Sequence, residues 1–314
     1  QQAGYFEINS QLAELPLSVA EYWIGTSVSN TVGKVGGEVQ IYGLPGAPHL
    51  RGQLMVRNGG TTVDFLNTRY TFDTAIVKLN DQFLFDATNT IIKDRFNKTA
   101  RVFGGITHRR LKGLALDARL ETMERFLALD TRKGDNDYFF GHALGEGKVF
   151  FSGPLERVDI YVNANVGEGT RLVIPVSYGS AASEVKFVSF KPAYQEDRQN
   201  KPPPAEQAPS GINLEMDLTI TDKAQGEIVF DEQAGDIIKG RGRGNIRILM
   251  PRNGDFQMFG DYLIEEGDYL FTLYNVVNKN FTIKRGGLIS WSGDPFGAQI
   301  RLEAEYKDLS TSLA

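Results

Sequence analysis

Hydrophobic and polar residues alternate along much of the chain, and this pattern predicts β-strands with one wet face. The clearest case is 214–221, where Leu214, Met216, Leu218 and Ile220 alternate with Glu215, Asp217, Thr219 and Thr221. Shorter segments with the same period of two lie at 39–42, 114–120 and 246–250. Frequent glycine separates these segments, which is typical of turns between strands.

Two segments are ambiguous between helix and strand. Within 114–129 the apolar residues fit helical spacing, but Leu114, Leu116, Ala118 and Leu120 also alternate, and we interpret the segment as strand. The segment 12–23 is broken by Pro16 and stays open.

Turn signals recur at Asn253-Gly254, Glu266-Gly267 and Arg285-Gly286-Gly287, and they predict hairpins. A chain poor in helix signals and rich in short strands is expected to be all-β. The alternation leaves two architectures open: a sandwich of two sheets, or one sheet curled so that its apolar face lines a groove.

One change in composition divides the chain. The segment 191–211 is rich in proline, glutamine and charge and has little to bury, which is typical of a linker or an excursion loop. We therefore predict a first β block over 1–190, the linker over 191–211 and a second β block over 212–314.

Bulk composition narrows the function classes. The net charge of −5 provides no basic field for nucleic acid, so no nucleic-acid partner is expected. Cysteine is absent, and no apolar run is long enough for a membrane-spanning helix. The chain starts at Gln1, and we expect it to be a fragment whose targeting or anchoring segments lie elsewhere.

No constellation of catalytic or metal-binding residues stands out. His49, His108 and His142 are scattered and are interpreted as surface or turn residues. The run 134–139 has some features of a calcium loop but lacks the distal glutamate, so we interpret it as a polar hairpin tip. We expect no enzyme, no catalytic residue, no metal and no cofactor.

An ordered series of motifs covers 240–306. Gly240, Gly242 and Gly244 precede Ile246 and Ile248, and glycine–aromatic pairs follow at Gly254–Phe256, Gly260–Tyr262 and Gly267–Tyr269–Phe271. Asn278-Lys279-x-Phe281-x-Ile283 comes next, and Gly286 to Pro295 closes the series with Gly-Gly-x-Ile-x-Trp-x-Gly-Asp-Pro. This ordered set resembles the C-terminal domain of the TamB family, the translocation and assembly module of diderm bacteria. The block before it resembles, more loosely, versions from Bacteroidetes-type bacteria.

The resemblance implies a β-taco, a long curved antiparallel or mixed sheet folded into a groove with an apolar interior. It also implies a periplasmic protein that carries phospholipid between the inner and outer membranes and supports outer-membrane biogenesis. The implied partners are phospholipid acyl chains and an Omp85-family barrel protein (TamA-like). Membrane contact and inner-membrane anchoring would come from segments outside this chain.

If the groove is present, alternation assigns its lining. Tyr269, Phe271 and Leu273 are preferred to the opposite face because Thr272 interrupts that face. Gly293, Asp294 and Pro295 are predicted to form a structural turn. For each lining residue the alternative is ordinary core packing. The full predicted lining is Ile246, Ile248, Phe256, Met258, Tyr269, Phe271, Leu273, Phe281, Ile283, Ile289, Trp291, Ala298, Ile300, Leu302 and Ala304.

Three functions remain open from the sequence. The first is a lipid conduit, and the second is a scaffold on which outer-membrane β-barrel proteins assemble with an Omp85-family partner. The third is a free-standing carbohydrate-binding or adhesive domain.

Overall fold

The computed structural model describes residues 4–21, 28–135, 139–175, 211–231, 235–273 and 277–306. Short 3₁₀ turns occur at Leu17–Ala20, Asp64–Leu66 and Pro295–Gly297. The strands are β1 (Phe6–Pro16), β2 (Val28–Leu44), β3 (Ala47–Val63), β4 (Thr68–Leu79), β5 (Phe83–Asp86), β6 (Thr90–Lys93), β7 (Thr99–Arg109), β8 (Lys112–Thr122), β9 (Phe126–Thr131), β10 (Phe140–Pro154), β11 (Arg157–Val166), β12 (Arg171–Pro175), β13 (Gly211–Ile220), β14 (Gln225–Asp231), β15 (Asp236–Met250), β16 (Gln257–Leu273), β17 (Val277–Ile283), β18 (Gly287–Gly293), β19 (Gln299–Arg301) and β20 (Ala304–Tyr306).

All of these strands belong to one curved, 20-stranded sheet. The fold class expected from the sequence, an all-β groove, is therefore confirmed.

Long strands in this sheet are flanked by two short strands placed end to end. β15 pairs with β13 along one half and β14 along the other, and β16 pairs with β18 and β17 in the same way. β10 likewise pairs with β11 and β12. The breaks between the short strands lie at a common level, so the sheet folds there into two walls.

This arrangement shortens the sheet. Its longest path runs through fourteen strands, from β1 through β2, β3, β4, β6, β7, β8, β10, β11, β13, β15, β16 and β18 to β19. At ~4.8 Å per strand the path is about 60 Å long. Stacking all the strands singly would give a sheet on the order of 100 Å long, and the observed sheet is shorter because two short strands share one position beside each long strand.

The walls meet at a β-bulge in β16. Arg241 lies opposite Glu266 and Gly242 lies opposite Ile264, so Glu265 is the extra residue. The extra residue interrupts the alternation of β16. As a result Ile264 and Gly267 both lie on the inner face, although they are three residues apart. A Cβ on Gly242 would lie 2.2 Å from the carbonyl oxygen of Leu263, so only glycine fits opposite the bulge.

Two pairs of strands run parallel, whereas the others in the sheet run antiparallel. β11 pairs with β13 and β12 with β14 in one continuous register, from Arg157 opposite Gly211 to Pro175 opposite Val229. The sheet is thus hydrogen-bonded across the position of the predicted linker. Apart from Gly211, the linker residues lie outside the described part of the chain.

Two hydrophobic clusters stabilise the sheet. The N-terminal cluster is centred on β3 and β4 and contains Leu50, Leu54, Val56, Ala75, Val77 and Leu79. The C-terminal cluster lies inside the fold between the walls and contains Ile238, Ile264, Ile283 and Ile289. Residues from both walls contribute to the second cluster, so its packing holds the walls together.

Most predicted strands and turns are confirmed. Residues 114–122 and 126–129 are strands rather than helix, and the ambiguous 12–23 segment is strand as far as Pro16, followed by a 3₁₀ turn. Asn253-Gly254 and Arg285-Gly286 lie in turns. The hairpin predicted at Glu266-Gly267 is wrong, because the residues lie within β16 at the bulge.

The line along which the two walls meet, here called the fold line, passes through the bulge and can be tested at Gly242. We expect Gly242→Ala to lower the free energy of unfolding by about 1–3 kcal/mol, because the added methyl group overlaps backbone atoms of β16. Urea denaturation of the purified chain measures this change.

Gly46→Ala is the matched control, since no atom lies within 4 Å of the added Cβ. Its effect should stay within about 0.5 kcal/mol. Equal stability of the two variants would contradict the tight crossing at Gly242.

Candidate functional site

The candidate site is the inner face of the two walls. Strand register decides which residues share this face, because directly opposed residues point to the same side. Ile248 lies opposite Met258, Tyr269 opposite Phe281, and Ile289 opposite Ile300. The same relation connects one wall to the other through β15 and β16.

The structure brings most of the predicted lining residues together on this face. Phe256 precedes β16 and is half-buried, and the side chain of Leu273 lies outside the described part. Ala298 and Leu302 flank β19 and pack against the C-terminal cluster. The predicted residues within strands that share the inner face are Ile246, Ile248, Met258, Tyr269, Phe271, Phe281, Ile283, Ile289, Trp291, Ile300 and Ala304.

The apolar face extends well beyond the predicted residues. One row of directly opposed side chains crosses seven strands, from β7 to β16. At ~4.8 Å per strand its ends are about 30 Å apart. The row consists of Val102, Leu120, Val149, Val162, Met216, Ile248 and Met258.

Sequence reasoning missed the residues of this row that precede β15. Each of their strands shows alternation, but only the register reveals that the faces coincide.

The floor of the groove is the region where the two walls meet, and its side chains are deeply buried. Ile264 is 1% exposed, Ile289 is 2% exposed and Ile283 is 3% exposed. Higher on the walls, Val162, Met216 and Ile248 are only half-buried. On the same walls Ile246 and Met258 are buried, at 3% and 4% exposed. The floor and part of the walls are therefore filled by the protein's own side chains, whereas positions such as Val162, Met216 and Ile248 keep some apolar surface accessible.

The outer face is polar and carries ion pairs. Arg241 pairs with Glu266 at 3.4 Å, and Arg243 pairs with Glu265 at 3.2 Å. Both arginines are exposed on the outer face of β15. The Arg241–Glu266 pair is exposed and is worth about 0–1 kcal/mol, so its main effect is to make the outer face soluble.

Tyr262 lies on the inner face at the fold line, with its ring over Gly242 and its hydroxyl near Gly226. The hydroxyl oxygen is buried and has no hydrogen-bond partner among the described residues. Burial raises the pKa of the Tyr262 phenol to about 12. Neither the alternation nor the motifs indicated this buried hydroxyl.

Aromatic rings cover the inner face of the second wall. Phe281 lies 6.3 Å from Tyr269 and 5.6 Å from Tyr306, measured between ring centroids. Tyr269 forms a hydrogen bond with Asp236, and burial together with this acid raises its pKa to about 12. Lys279 of β17 lies directly opposite Phe271 of β16, so it is on the same face.

The predicted turn at Gly293, Asp294 and Pro295 ends β18. The N–H of Gly297 donates to the carbonyl of Asp294 at 3.1 Å. The indole N–H of Trp291 donates to the carbonyl of Pro295 at 3.1 Å and fixes the ring on the inner face. In this turn the motif has a structural role.

The described residues contain no group of three or more potential metal ligands. Among the histidines, His108 is buried and holds the turn between β7 and β8, where its Nδ1 accepts from the Leu111 N–H at 2.9 Å. Residues 136–138, half of the run 134–139, lie outside the described residues. Within the described ranges, no helix has the length and apolar character to cross a bilayer.

The comparison with family models decides the relationship. The model of the TamB C-terminal domain matches residues 88–312, which is more than half of the chain. The chain belongs to the TamB family. No curated protein and no solved structure matches it.

This TamB chain therefore belongs with the translocation and assembly module of the cell envelope, a non-enzymatic family that takes part in outer-membrane biogenesis. The match begins between β5 and β6, runs across the predicted linker and extends past the last described strand. Both walls of the C-terminal cluster lie within the matched residues.

The unpartnered Tyr262 hydroxyl gives a test of the floor. We expect Tyr262→Phe to keep or slightly raise the free energy of unfolding at neutral pH, because no hydrogen bond within the described residues is lost. The folded-state pKa of about 12 lies above the usual value of 10, so stability should fall as pH rises from about 10 to 12. The variant should show a shallower fall in urea titrations.

Tyr161→Phe provides the comparison, since the Tyr161 hydroxyl donates to Asp217 at 2.8 Å. Loss of this bond should cost about 1 kcal/mol at neutral pH. A larger loss for Tyr262→Phe than for Tyr161→Phe would contradict the unpartnered hydroxyl.

Proposed function

We propose that this TamB protein carries phospholipid between the inner and outer membranes along the inner face of its groove. The observation that carries the proposal is the continuity of the apolar face from β7 to β16, whose opposed side chains are half-buried from β7 to β15 and become buried only at Met258 in β16. Acyl chains would lie on the walls, and headgroups would stay in water.

The free energy of moving a lipid through water favours a continuous apolar surface over a single tight pocket. We call the apolar inner face of the walls the lane. A diacyl lipid exposes on the order of 30 methylenes at ~0.8 kcal/mol each, so bare extraction into water costs about 25 kcal/mol. Half-buried apolar walls remove much of this cost at every position along the sheet. Because the contacts are similar from row to row, a lipid can move without crossing a large barrier.

The chain would act within a longer assembly. We infer that segments outside it anchor the protein to the inner membrane, and that an Omp85-family barrel protein of the TamA type receives it at the outer membrane. The described sheet, about 60 Å long, would then form one section of a path across the periplasm. The relation to versions from Bacteroidetes-type bacteria stays a prediction.

A second candidate function is an assembly scaffold for outer-membrane β-barrel proteins. The edge strand β1 favours it, because β1 has 11 residues and pairs only with β2 among the described strands. Ile8 and Leu15 on this strand are exposed. A transmembrane β-strand has about 9–11 residues, so a nascent barrel strand could add to this edge along its full length.

Charged substitutions on the walls test the conduit. We expect Ile248→Asp or Leu302→Asp to reduce lipid passage at least about tenfold, because a carboxylate on the lane penalises the passing acyl chain. Ile248 is half-buried on a wall, so its carboxylate can remain hydrated and the sheet should stay folded. Leu302 is half-buried against the C-terminal cluster, so circular dichroism must show that Leu302→Asp is folded before its lipid passage is compared. Lipid photo-cross-linking and envelope permeability measure the effect in cells.

Gln299→Asp is the control, since Gln299 is exposed on the outer side of β19, next to the lane. Normal permeability and cross-linking in all three variants would rule out the conduit.

Mass spectrometry of the purified protein separates the two candidate functions. Co-purified phospholipid supports the conduit, and a barrel partner without lipid supports the scaffold. Neither species would favour the free-standing binding domain instead.

A further inference from the structure

The inner face of β13 to β20 carries very little charge. Among its described side chains within strands, only Asp236 and Lys279 are charged, and the others are apolar, glycine or tyrosine. Asp236 is engaged by the hydroxyl of Tyr269. Lys279 forms no ion pair within the described part of the chain and lies beside apolar and aromatic side chains of the wall.

Side-chain character changes in order up this wall along β17. Ile283 at the floor is 3% exposed, Phe281 in the middle is half-buried, and Lys279 at the rim is exposed. The Lys279 ammonium lies 4.7 Å from the centroid of the Tyr306 ring, and Tyr306 is itself 44% exposed. Apolar floor, aromatic wall and cationic rim match the order of acyl chain, interfacial region and phosphate in a phospholipid.

We propose that Lys279, supported by Tyr306, binds the phosphate of a phospholipid whose acyl chains lie on the aromatic wall below. This assignment rests on the proposed lipid function and adds a headgroup site to it. The occupant is a phospholipid because the cation is continuous with the apolar wall. A free anion would gain nothing from Phe281 and Tyr269.

Lys279 is exposed among the described residues. Within the described part of the chain, β20 pairs with β17 only from Phe281 to Ile283, so Lys279 lies beyond the stretch of β17 that β20 covers. The ring of Tyr306 holds the ammonium through a cation–π contact, which orients the side chain without neutralising it. The same exposure permits an alternative role, since inward-pointing lysines protect sheet edges from aggregation.

Lipid retention by the purified 314-residue chain tests the proposal. The probes are phosphatidylglycerol and uncharged diacylglycerol with the same acyl chains, each quantified by native mass spectrometry. We expect Lys279→Gln to lower phosphatidylglycerol retention about fivefold, the loss typical of a partly exposed charged contact, and to leave diacylglycerol retention unchanged.

Lys239→Gln is the matched control, because it makes the same charge change at an exposed position on the outer face of β15. It should retain both lipids as the unmodified chain does. Circular dichroism and light scattering on both variants check folding and aggregation.

The other outcomes are distinct. If both lipids are retained and Lys279→Gln changes neither, the headgroup site is wrong while the conduit stands. Aggregation of Lys279→Gln with an unchanged lipid ratio would assign the lysine to edge protection and also overturn the site. If millimolar inorganic phosphate displaces phosphatidylglycerol, the site takes free anions rather than lipid. Retention of neither lipid by the unmodified chain would reject the conduit itself.

Discussion

The structure depends on keeping the apolar positions of successive strands in phase. Side chains alternate with a period of two, so a slip of one residue between neighbouring strands would turn a whole apolar face towards water. The hydrogen-bonded register aligns Val149, Val162, Met216 and Ile248 across four strands. This alignment makes a set of separate amphipathic strands into one inner surface.

The sheet folds across the middle of β16, and the bulge there keeps the apolar residues of both halves of the strand on the inner face. If β16 alternated regularly through Glu265, Ile264 would point to one side of the sheet, and Tyr269 and Phe271 would point to the other. With Glu265 as an extra residue, both halves of β16 contribute to the same cluster, together with Ile238 and Ile283. Gly242 permits the close crossing, because any side chain there would overlap the backbone of the neighbouring strand. The fold line is therefore a local backbone feature with a consequence for the entire lane.

The outer face keeps the protein soluble, and the inner face provides the apolar surface that we propose binds lipid. Outer arginines and acids keep a long open sheet in solution, whereas the inner walls remain apolar and partly accessible. A sandwich would cover such walls with a second sheet, but all the described strands belong to the same sheet. Lys279 at the rim fits the same division, since it places charge where the apolar inner face meets water.

The sequence alone determined the all-β class, most strands and which residues of a strand share a face, because alternation is a local property of each strand. The ordered motifs from Gly240 to Pro295 also pointed to the TamB family, and the family match over 88–312 confirmed it. Only the tertiary structure decided how strands align. Alternation cannot report register, so the row through β7 to β13 and the place of Lys279 near Tyr306 stayed hidden. The hairpin predicted at Glu266-Gly267 failed for the same reason: a glycine with a change of phase indicates either a turn or a bulge, and the partner strand decides between them.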